Sequence, residues 1–390
     1  LKLQKSPLKN TAYLANSFRY LFATLATFIF FQCAMAQVIN PGMMEDTSQG
    51  ERIGKIYLEG YLDTYVGYYM GHTVENEIPV FVNHNRNREF NVNLAYLNLR
   101  YKGDRIRAKL IPGFGTYMNA NYPQKGTLGH LVEANVGYKL SENKEIWLDM
   151  GVLASPYTNE SPISRDQLMY TRSLSAEMVP YYLTGAKLGL PMGAKWNLYL
   201  YALNGWQNIL DNNRGKALGT QVEFRPNAKS LWNWNTFFGE ESDGTGPMEK
   251  WRFLSDLYWV FNPGEKWSFT SCWYVGAENQ KYSTNSSWGF WSQANFIGRY
   301  RFSKIHSLSG RLEYFFDPDG VIARLPGSFG SPTLFSVGST GLCWNMQLTS
   351  NALFRMEGRQ FFAPDKTLLT EKHRNTRFNS WLICGAAVSF

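Results

Sequence analysis

From residue 56 to residue 70 the chain changes solvent preference at every step. Ile56, Leu58, Gly60, Leu62, Thr64, Val66, Tyr68 and Met70 lie on one parity, and Tyr57, Glu59, Tyr61, Asp63, Tyr65, Gly67 and Tyr69 on the other. Period two is the geometry of a β-strand, and one apolar face set against one polar face means that the strand meets two different solvents. The pattern recurs. Ile106, Ala108 and Leu110 stand against Arg105, Arg107 and Lys109; Val132, Ala134, Val136 and Tyr138 against Glu133, Asn135 and Lys139; Leu308, Leu312, Tyr314 and Phe316 against Arg311, Glu313 and Asp317; Ala352, Phe354, Met356 and Gly358 against Arg355, Glu357 and Arg359. After residue 36 no run approaches the ~18 apolar residues of a spanning helix. A membrane-spanning chain of this kind must therefore be a closed barrel, because no strand edge can be left unpaired in hydrocarbon.

Composition points the same way: 16% of residues are aromatic and only 18% charged, yet the mean hydropathy is polar. At the N-terminus Lys2, Lys5, Lys9 and Arg19 precede or flank an apolar run over 21–31 that closes at Ala34-Met35-Ala36-Gln37, with no acidic residue before Glu45. This reads as a secretory signal peptide over 1–36, followed by a periplasmic lead-in over 37–51 and a barrel over 52–390. Gln32 before Cys33 argues against a lipoprotein cleavage site. Of 39 basic and 31 acidic side chains the leader takes four basic and none acidic, leaving 35 against 31, a net +4. Half of the apparent basicity belongs to the leader, and an exported chain has little occasion to meet nucleic acid. Cys272, Cys343 and Cys384 form an odd, widely spaced set with no legible disulfide framework.

Short and long connections alternate along the chain. Short turns are expected at 102–104, 141–144, 191–195, 226–230, 262–266, 303–307 and 345–350, and longer loops at 71–89, 119–129, 155–181, 205–216, 239–250, 277–287, 317–332 and 362–377. About 16 antiparallel up-and-down strands with short periplasmic turns, long extracellular loops and both termini inside account for that spacing. Tyr101, Tyr138, Trp196, Phe224, Phe261, Trp267, Tyr300, Phe302, Trp344 and Phe390 cluster near the short-turn ends, as a girdle at one membrane interface would. The last apolar face, Leu382, Cys384, Ala386, Val388 and Phe390, resembles the terminal strand that outer-membrane assembly machinery recognises. One segment breaks the alternation: Phe90, Val92 and Leu94 are even, whereas Ala95, Leu97, Leu99 and Tyr101 are odd. Either a bulge or an extension above the membrane would produce that switch.

The phrases NHNRNREFNVNLAYLNLRY from 83, GTYMNANY from 115, LVEANVGYKL from 131, IWLDMGVLASPY from 146, RSLSAEMVPYY from 172, LNGWQNI from 203 and GTQVEF from 219 resemble the OmpL-like β-barrel porins of Gram-negative outer membranes. The likeness is densest over 53–260; beyond it mainly RLEYFFD and RMEGRQFF echo the family. It implies a porin-like outer-membrane barrel and supplies no catalytic residue or substrate.

If the polar parity faces a lumen, its charges set ion preference. The inward basic set is Lys55, Arg105, Arg107, Lys109, Lys139, Lys187, Arg225, Arg299, Arg301, Arg311, Arg355 and Arg359. The acidic set is Glu59, Asp63, Glu133, Asp149, Glu223, Asp256, Glu313, Asp317 and Glu357. Mild anion preference follows from that excess, although Arg311, Glu313, Arg355, Glu357 and Arg359 also suit a purely structural lattice. The longest loop, 155–181, is the third long one. As in general porins it is expected to fold inward, with helix-compatible residues over 166–178 and Glu160, Arg165, Asp166, Arg172 and Glu177 narrowing the channel; an ordinary surface loop is the alternative. Tyr57, Tyr61, Tyr65 and Tyr69 are either a sugar-stacking track or simply wall.

Enzymatic readings find little support. His72, His84, His130, His306 and His373 fall in loops or turns without metal-ligand spacing, and no Ser/His pair is placed like that of a lipase. Asp317-Pro318-Asp319-Gly320 lacks the later bidentate Glu of a calcium loop and reads as a solvated turn. No cofactor is implied. The favoured reading is a water-filled channel for passive diffusion of small hydrophilic solutes. Its partners would be outer-membrane lipid, those solutes, the assembly machinery through Phe390, and possible copies of itself. The alternative is a non-conducting barrel whose extracellular loops bind a partner or surface.

Overall fold

In the computed structural model, residues 51–53, 55–122, 126–242, 248–281, 286–323, 335–364 and 366–390 are described. The expected leader and all but the last residue of the lead-in lie outside them. A three-residue strand, β1 (Glu51–Ile53), pairs with the start of the next. The barrel strands follow as β2 (Ile56–Tyr69), β3 (Phe90–Lys102), β4 (Ile106–Phe114), β5 (Leu131–Lys139), β6 (Trp147–Ala154), β7 (Tyr182–Pro191) and β8 (Trp196–Leu203). They continue as β9 (Ala217–Asn227), β10 (Ser230–Glu240), β11 (Glu249–Phe261), β12 (Trp267–Lys281) and β13 (Ser286–Arg301). The last are β14 (His306–Asp317), β15 (Phe335–Gln347), β16 (Ala352–Phe362) and β19 (Phe378–Ser389); β17 (Leu368–Leu369) and β18 (Asn375–Thr376) form a small ladder inside the final loop.

Each barrel strand pairs antiparallel with its neighbour in sequence, and β19 returns to pair with β2, from Trp381 opposite Tyr69 to Ser389 opposite Tyr61. The result is a closed, all-β, sixteen-stranded antiparallel barrel, as the spacing of turns and loops predicts. Closure runs one step further. Gly60 and Phe390 exchange backbone bonds, Gly60 N to Phe390 O at 2.6 Å and Phe390 N to Gly60 O at 3.0 Å. The Phe390 ring lies over Gly60, where a Cβ would occupy the same space.

The outer face carries Leu58, Leu97, Leu99, Val136, Leu218, Trp234, Phe238, Trp273, Phe290, Leu312, Leu342 and Leu382, all exposed. In water that much apolar surface would drive association; in a bilayer it is the solvent contact that strands of this length require. The turn-end aromatics stack as a belt: Trp196 on Phe224 at 4.1 Å, Trp267 on Tyr300 at 4.6 Å, and His306 between Phe302 and Trp344. His306 opens β14 rather than lying in the turn before it.

The broken alternation in β3 is a bulge. Asp63 faces Leu94 and Thr64 faces Val92, so Asn93 is the extra residue, and both Asn93 and Leu94 are buried. Strands also run beyond the expected loop limits. β12 reaches Lys281 and β13 starts at Ser286, so the loop expected at 277–287 shrinks to its tip.

Replacing Gly60 by Val is expected to displace the Phe390 ring and weaken the seam. On cold-loaded SDS gels the variant should lose its folded, faster-migrating band at a lower temperature than the parent; an unchanged transition would show that the ring contributes nothing to closure.

Candidate functional site

The inward parity does not face an empty tube. Loop 155–181 folds into the lumen, and nearly all of its residues are buried. On one side Asn235 Nδ2 donates to Pro156 O at 2.9 Å, Asp256 accepts from Thr158 N at 2.9 Å, and Asn159 Nδ2 reaches Thr270 Oγ1 and Asn295 Oδ1 at 2.9 and 3.0 Å. On β14 and β16 the grip is denser. Glu357 accepts from Tyr170 N and Thr171 N at 2.8 and 2.9 Å and from Arg311 Nη2 at 2.9 Å. Glu313 accepts from Leu174 N at 2.7 Å and also pairs with Arg359. Arg355 donates to the carbonyls of Gln167 and Leu168 at 3.0 and 2.9 Å, and Arg359 to that of Arg172 at 2.9 Å. These five charges are thus a clamp on the loop backbone. Glu357 pairs with Arg311 and Glu313 with Arg359, while Arg355 is held by neutral acceptors, Asn345 Oδ1 and the loop carbonyls.

The clamp explains why the helix-compatible stretch 166–178 is not a continuous helix. Only a 3₁₀ turn at Ser164–Asp166 and one α-turn at Leu174–Glu177 are present, because Glu357, Glu160 and Glu313 take the N–H groups of residues 170, 171, 173 and 174. A carboxylate acceptor offers those donors a stronger bond than a helical carbonyl would.

Asp63 on β2 ties three segments together. Its Oδ2 lies 3.1 Å from His84 Nε2 in the first long loop and accepts from the bulged Asn93 Nδ2 at 3.2 Å; its Oδ1 accepts from Tyr170 OH at 3.1 Å. Asn93 Oδ1 in turn accepts from His84 N at 2.8 Å, and the His84 ring packs against Tyr65 and Tyr170. The bulge therefore has a use: it aims an amide inward that otherwise would point to lipid. Around this junction Tyr61, Leu94, Tyr96, Ile111, Tyr117, Met118, Tyr122, Ile163 and Tyr182 form an apolar cluster inside the barrel. The tyrosines of β2 are part of that packing and of the wall. Tyr61 stacks on Tyr96 at 5.1 Å, Tyr65 OH bonds Thr116 Oγ1 at 3.1 Å, and Tyr69 packs edge-on to Phe361.

The five loop residues anticipated from sequence all lie in the lumen. Glu160 accepts from Ser173 N at 2.8 Å and sits 4.0 Å from Arg311; burial pushes its carboxyl above the usual range, against the pull of Arg311 and Ser173. Arg165 lies 3.6 Å from Glu59 and 3.4 Å from Asp166. Arg172 covers the Tyr181 ring at 4.1 Å, and Glu177 accepts from Val82 N at 2.7 Å.

The anticipated pore-lining residues separate into three groups. Arg311, Glu313, Arg355, Glu357 and Arg359 are the clamp. Arg105 is exposed in the turn before β4 and pairs with Glu142 at 3.2 Å, and Arg301 is exposed at the end of β13, so both stand at the rim rather than on the inner wall; Arg299 is half-buried on the inward parity. Arg107 and Lys109 do line the interior. Arg107 makes two bonds to Asp149 at 2.7 and 2.6 Å, and Lys109 lies 3.2 Å from Glu133. In each pair the base is the outer partner: side-chain exposure is 39% for Arg107 against 3% for Asp149, 20% for Lys109 against 4% for Glu133, and 30% for Arg225 against 3% for Glu223. Along the β4–β9 arc, water thus meets cations laid over buried carboxylates.

Two features escaped the sequence reading. His84 is buried and bonded although it sits in a loop, and only its Asp63 partner gives it meaning. Arg252 makes two bonds to Glu278, at 2.8 and 2.6 Å, under Trp206; both residues fall where strand extensions had been counted as loop or loop edge. The turn after β14 is not solvated as expected. Asp317 is buried, with its oxygens accepting from Val321, Ile322 and Ala323 N–H groups at 2.8–2.9 Å. Among the described residues no cluster of three or more His, Cys, Asp or Glu could hold a metal.

Asp63→Asn removes the charge that joins the first and third loops to β2. The substitution should lower the unfolding temperature by a few degrees, because an amide there leaves a buried partner unmet at a cost of about 1–3 kcal/mol, and should make the first and third loops more open to limited proteolysis. An unchanged melting curve and cleavage pattern would show that the junction is not an anchor.

Glu241, beyond the end of β10, accepts from Trp206 N at 2.9 Å, and burial pushes its carboxyl up to about 7 despite Arg252 nearby. The folded barrel therefore holds this proton longer than the unfolded chain does. The stability from that protonation is full below the ordinary value of 4.5 and is lost as pH rises through about 7. Glu241→Gln should flatten thermal stability between those limits, and an unchanged slope would assign the pH dependence elsewhere.

The family described as "Putative beta-barrel porin-2, OmpL-like" matches residues 55–390. By sequence alone no curated protein matches the chain. Among solved structures, the outer membrane channel DcaP of Acinetobacter baumannii superposes with a TM-score of 0.60 at 11% identity, covering 87% of this chain and 99% of that one. OmpT, an outer membrane protein of Vibrio cholerae, gives 0.55 at 10% identity over 88% and 100%. An anion-selective porin from Comamonas acidovorans gives 0.54 at 9% over 86% and 99%. At these identities the superpositions speak for the fold alone.

Proposed function

The chain belongs to the OmpL-like β-barrel porin-2 family of outer-membrane barrels, and from that premise we propose that it is a channel for passive diffusion of small hydrophilic solutes with a mild preference for anions. The observation that carries this reading is the β4–β9 wall. Loop 155–181 is tied to β2, β10–β14 and β16, while the opposite arc presents Arg107, Lys109, Lys187 and Arg225 to water above their carboxylate partners. In a low-dielectric enclosure the nearer charge dominates the field felt by a passing ion, so the shallower bases outweigh the buried acids even though each is nominally paired. Arg299 and Arg301 add positive charge toward the periplasmic end. The chain's own residues carry no covalent step in this reading; they set width, hydration and field.

Outer-membrane lipid contacts the apolar face, the strand ending in Phe390 is the segment offered to the assembly machinery, and association of copies through their outer faces belongs to the same reading. The loop that crosses the lumen favours a second possibility: a barrel that does not conduct and displays its extracellular loops to a partner or surface.

Planar-bilayer recording of the mature barrel separates the two. Discrete steps with a reversal potential displaced toward that of chloride under a KCl gradient are expected. Arg107→Gln with Lys109→Gln should move that potential toward the potassium value without abolishing the steps. Steps with cation preference in the parent would overturn the wall assignment, and folded protein without steps would favour the loop-display barrel.

A further inference from the structure

Between loop 155–181, β5 and the helix at Thr116–Asn121 lies a cavity of about 30 Å³, lined by Tyr117, Tyr122, Glu133, Glu160, Arg172 and Tyr181 among others. Arg172 is 3% exposed and gives one bond, Nη2 to Glu160 O at 3.2 Å. Its Nε and Nη1 are buried with no hydrogen-bond partner among the described residues. Leaving guanidinium donors unmet in a closed site is costly, and the tyrosine face beneath Arg172 offers attraction but no acceptor. Of the two carboxylates in the lining, Glu133 is engaged and Glu160 is engaged through Oε2, while Glu160 Oε1 has no hydrogen-bond partner among the described residues and does not reach the Arg172 donors. Glu133 is held by Lys109 at 3.2 Å, and Glu160 accepts from Ser173 and faces Arg311. Glu133 joins the cavity to the basic wall, because its partner Lys109 stands on that wall.

We propose that this cavity is a binding station for one oxyanion group of a permeating solute, a carboxylate or a phosphate, held by the unmet donors of Arg172. A volume of 30 Å³ accommodates about two water-sized groups, the two oxygens of a carboxylate or two of the oxygens of a phosphate, and not a whole solute. The proposal rests on the channel reading for how the solute arrives, but the station itself depends only on the cavity.

The test uses the folded mature barrel in detergent, with saturation-transfer NMR to the methyl groups of acetate and of methyl phosphate at constant ionic strength. Saturable transfer is expected for at least one probe. In Arg172→Gln its half-saturating concentration should rise at least about tenfold, the scale of one lost charge-assisted bond. Arg172→Lys, which keeps charge and loses the Nε donor, should fall between the two and serves if the glutamine variant does not fold. Transfer to acetate alone, or to methyl phosphate alone, supports the station and identifies the head it accepts. No saturable transfer, or equal binding in parent and variants, overturns it. Bilayer conductance is read separately: steps without binding keep the channel and remove the station, and binding without steps does the reverse.

Discussion

The pairing of β19 with β2 is the contact on which everything else depends. In hydrocarbon an unpaired N–H or C=O costs several kcal/mol, roughly what a whole small domain has to spare. A sixteen-stranded sheet that stayed open would expose a full edge of such groups. Closing it places the first and last strands side by side, and the exchange between Gly60 and Phe390 extends the seam to the final residue. Glycine at position 60 lets the terminal ring lie over the strand, in the space a Cβ would take.

Once the barrel is closed, the ordinary relation between inside and outside is inverted. Trp, Phe and Leu side chains cover the exterior, while Asp63, Asp256, Arg311, Arg355 and Glu357 are among the most buried groups. A barrel of this size would by itself enclose an aqueous channel. Here the third loop occupies much of it, and the wall charges that might have lined a pore instead hold that loop in place. On the β4–β9 arc depth decides which partner of each ion pair faces water. The 12-to-9 excess counted along the strands is therefore a poor guide in detail: the Arg107 side chain is 39% exposed beside a buried Asp149, whereas Arg311 is consumed by Thr171 and Glu357.

Much of this architecture is legible in the chain. Strand number, alternation, the turn-and-loop rhythm and the aromatic belt each follow from local pattern, because parity on a strand is set by the residue's own position. The inward course of loop 155–181 was legible only through its length and its place as the third long loop. Its shape was not. The helix-compatible stretch 166–178 stays irregular because acceptors from β14 and β16, about 140 and 190 residues away, claim the backbone donors. His84 was passed over for the same reason: nothing near it in sequence announces Asp63.

What the sequence by itself determined is the barrel: its period-two faces, its strand count and its membrane exterior, all consequences of alternation within about ten residues. The switch of parity in β3 was visible there too, but only the pairing with β2 makes it a bulge at Asn93. What only the tertiary structure decided is the lumen. Which charges pair, which are covered and which remain in water depend on strands brought together across the barrel, and a buried charge has no meaning until its partner and its depth are known.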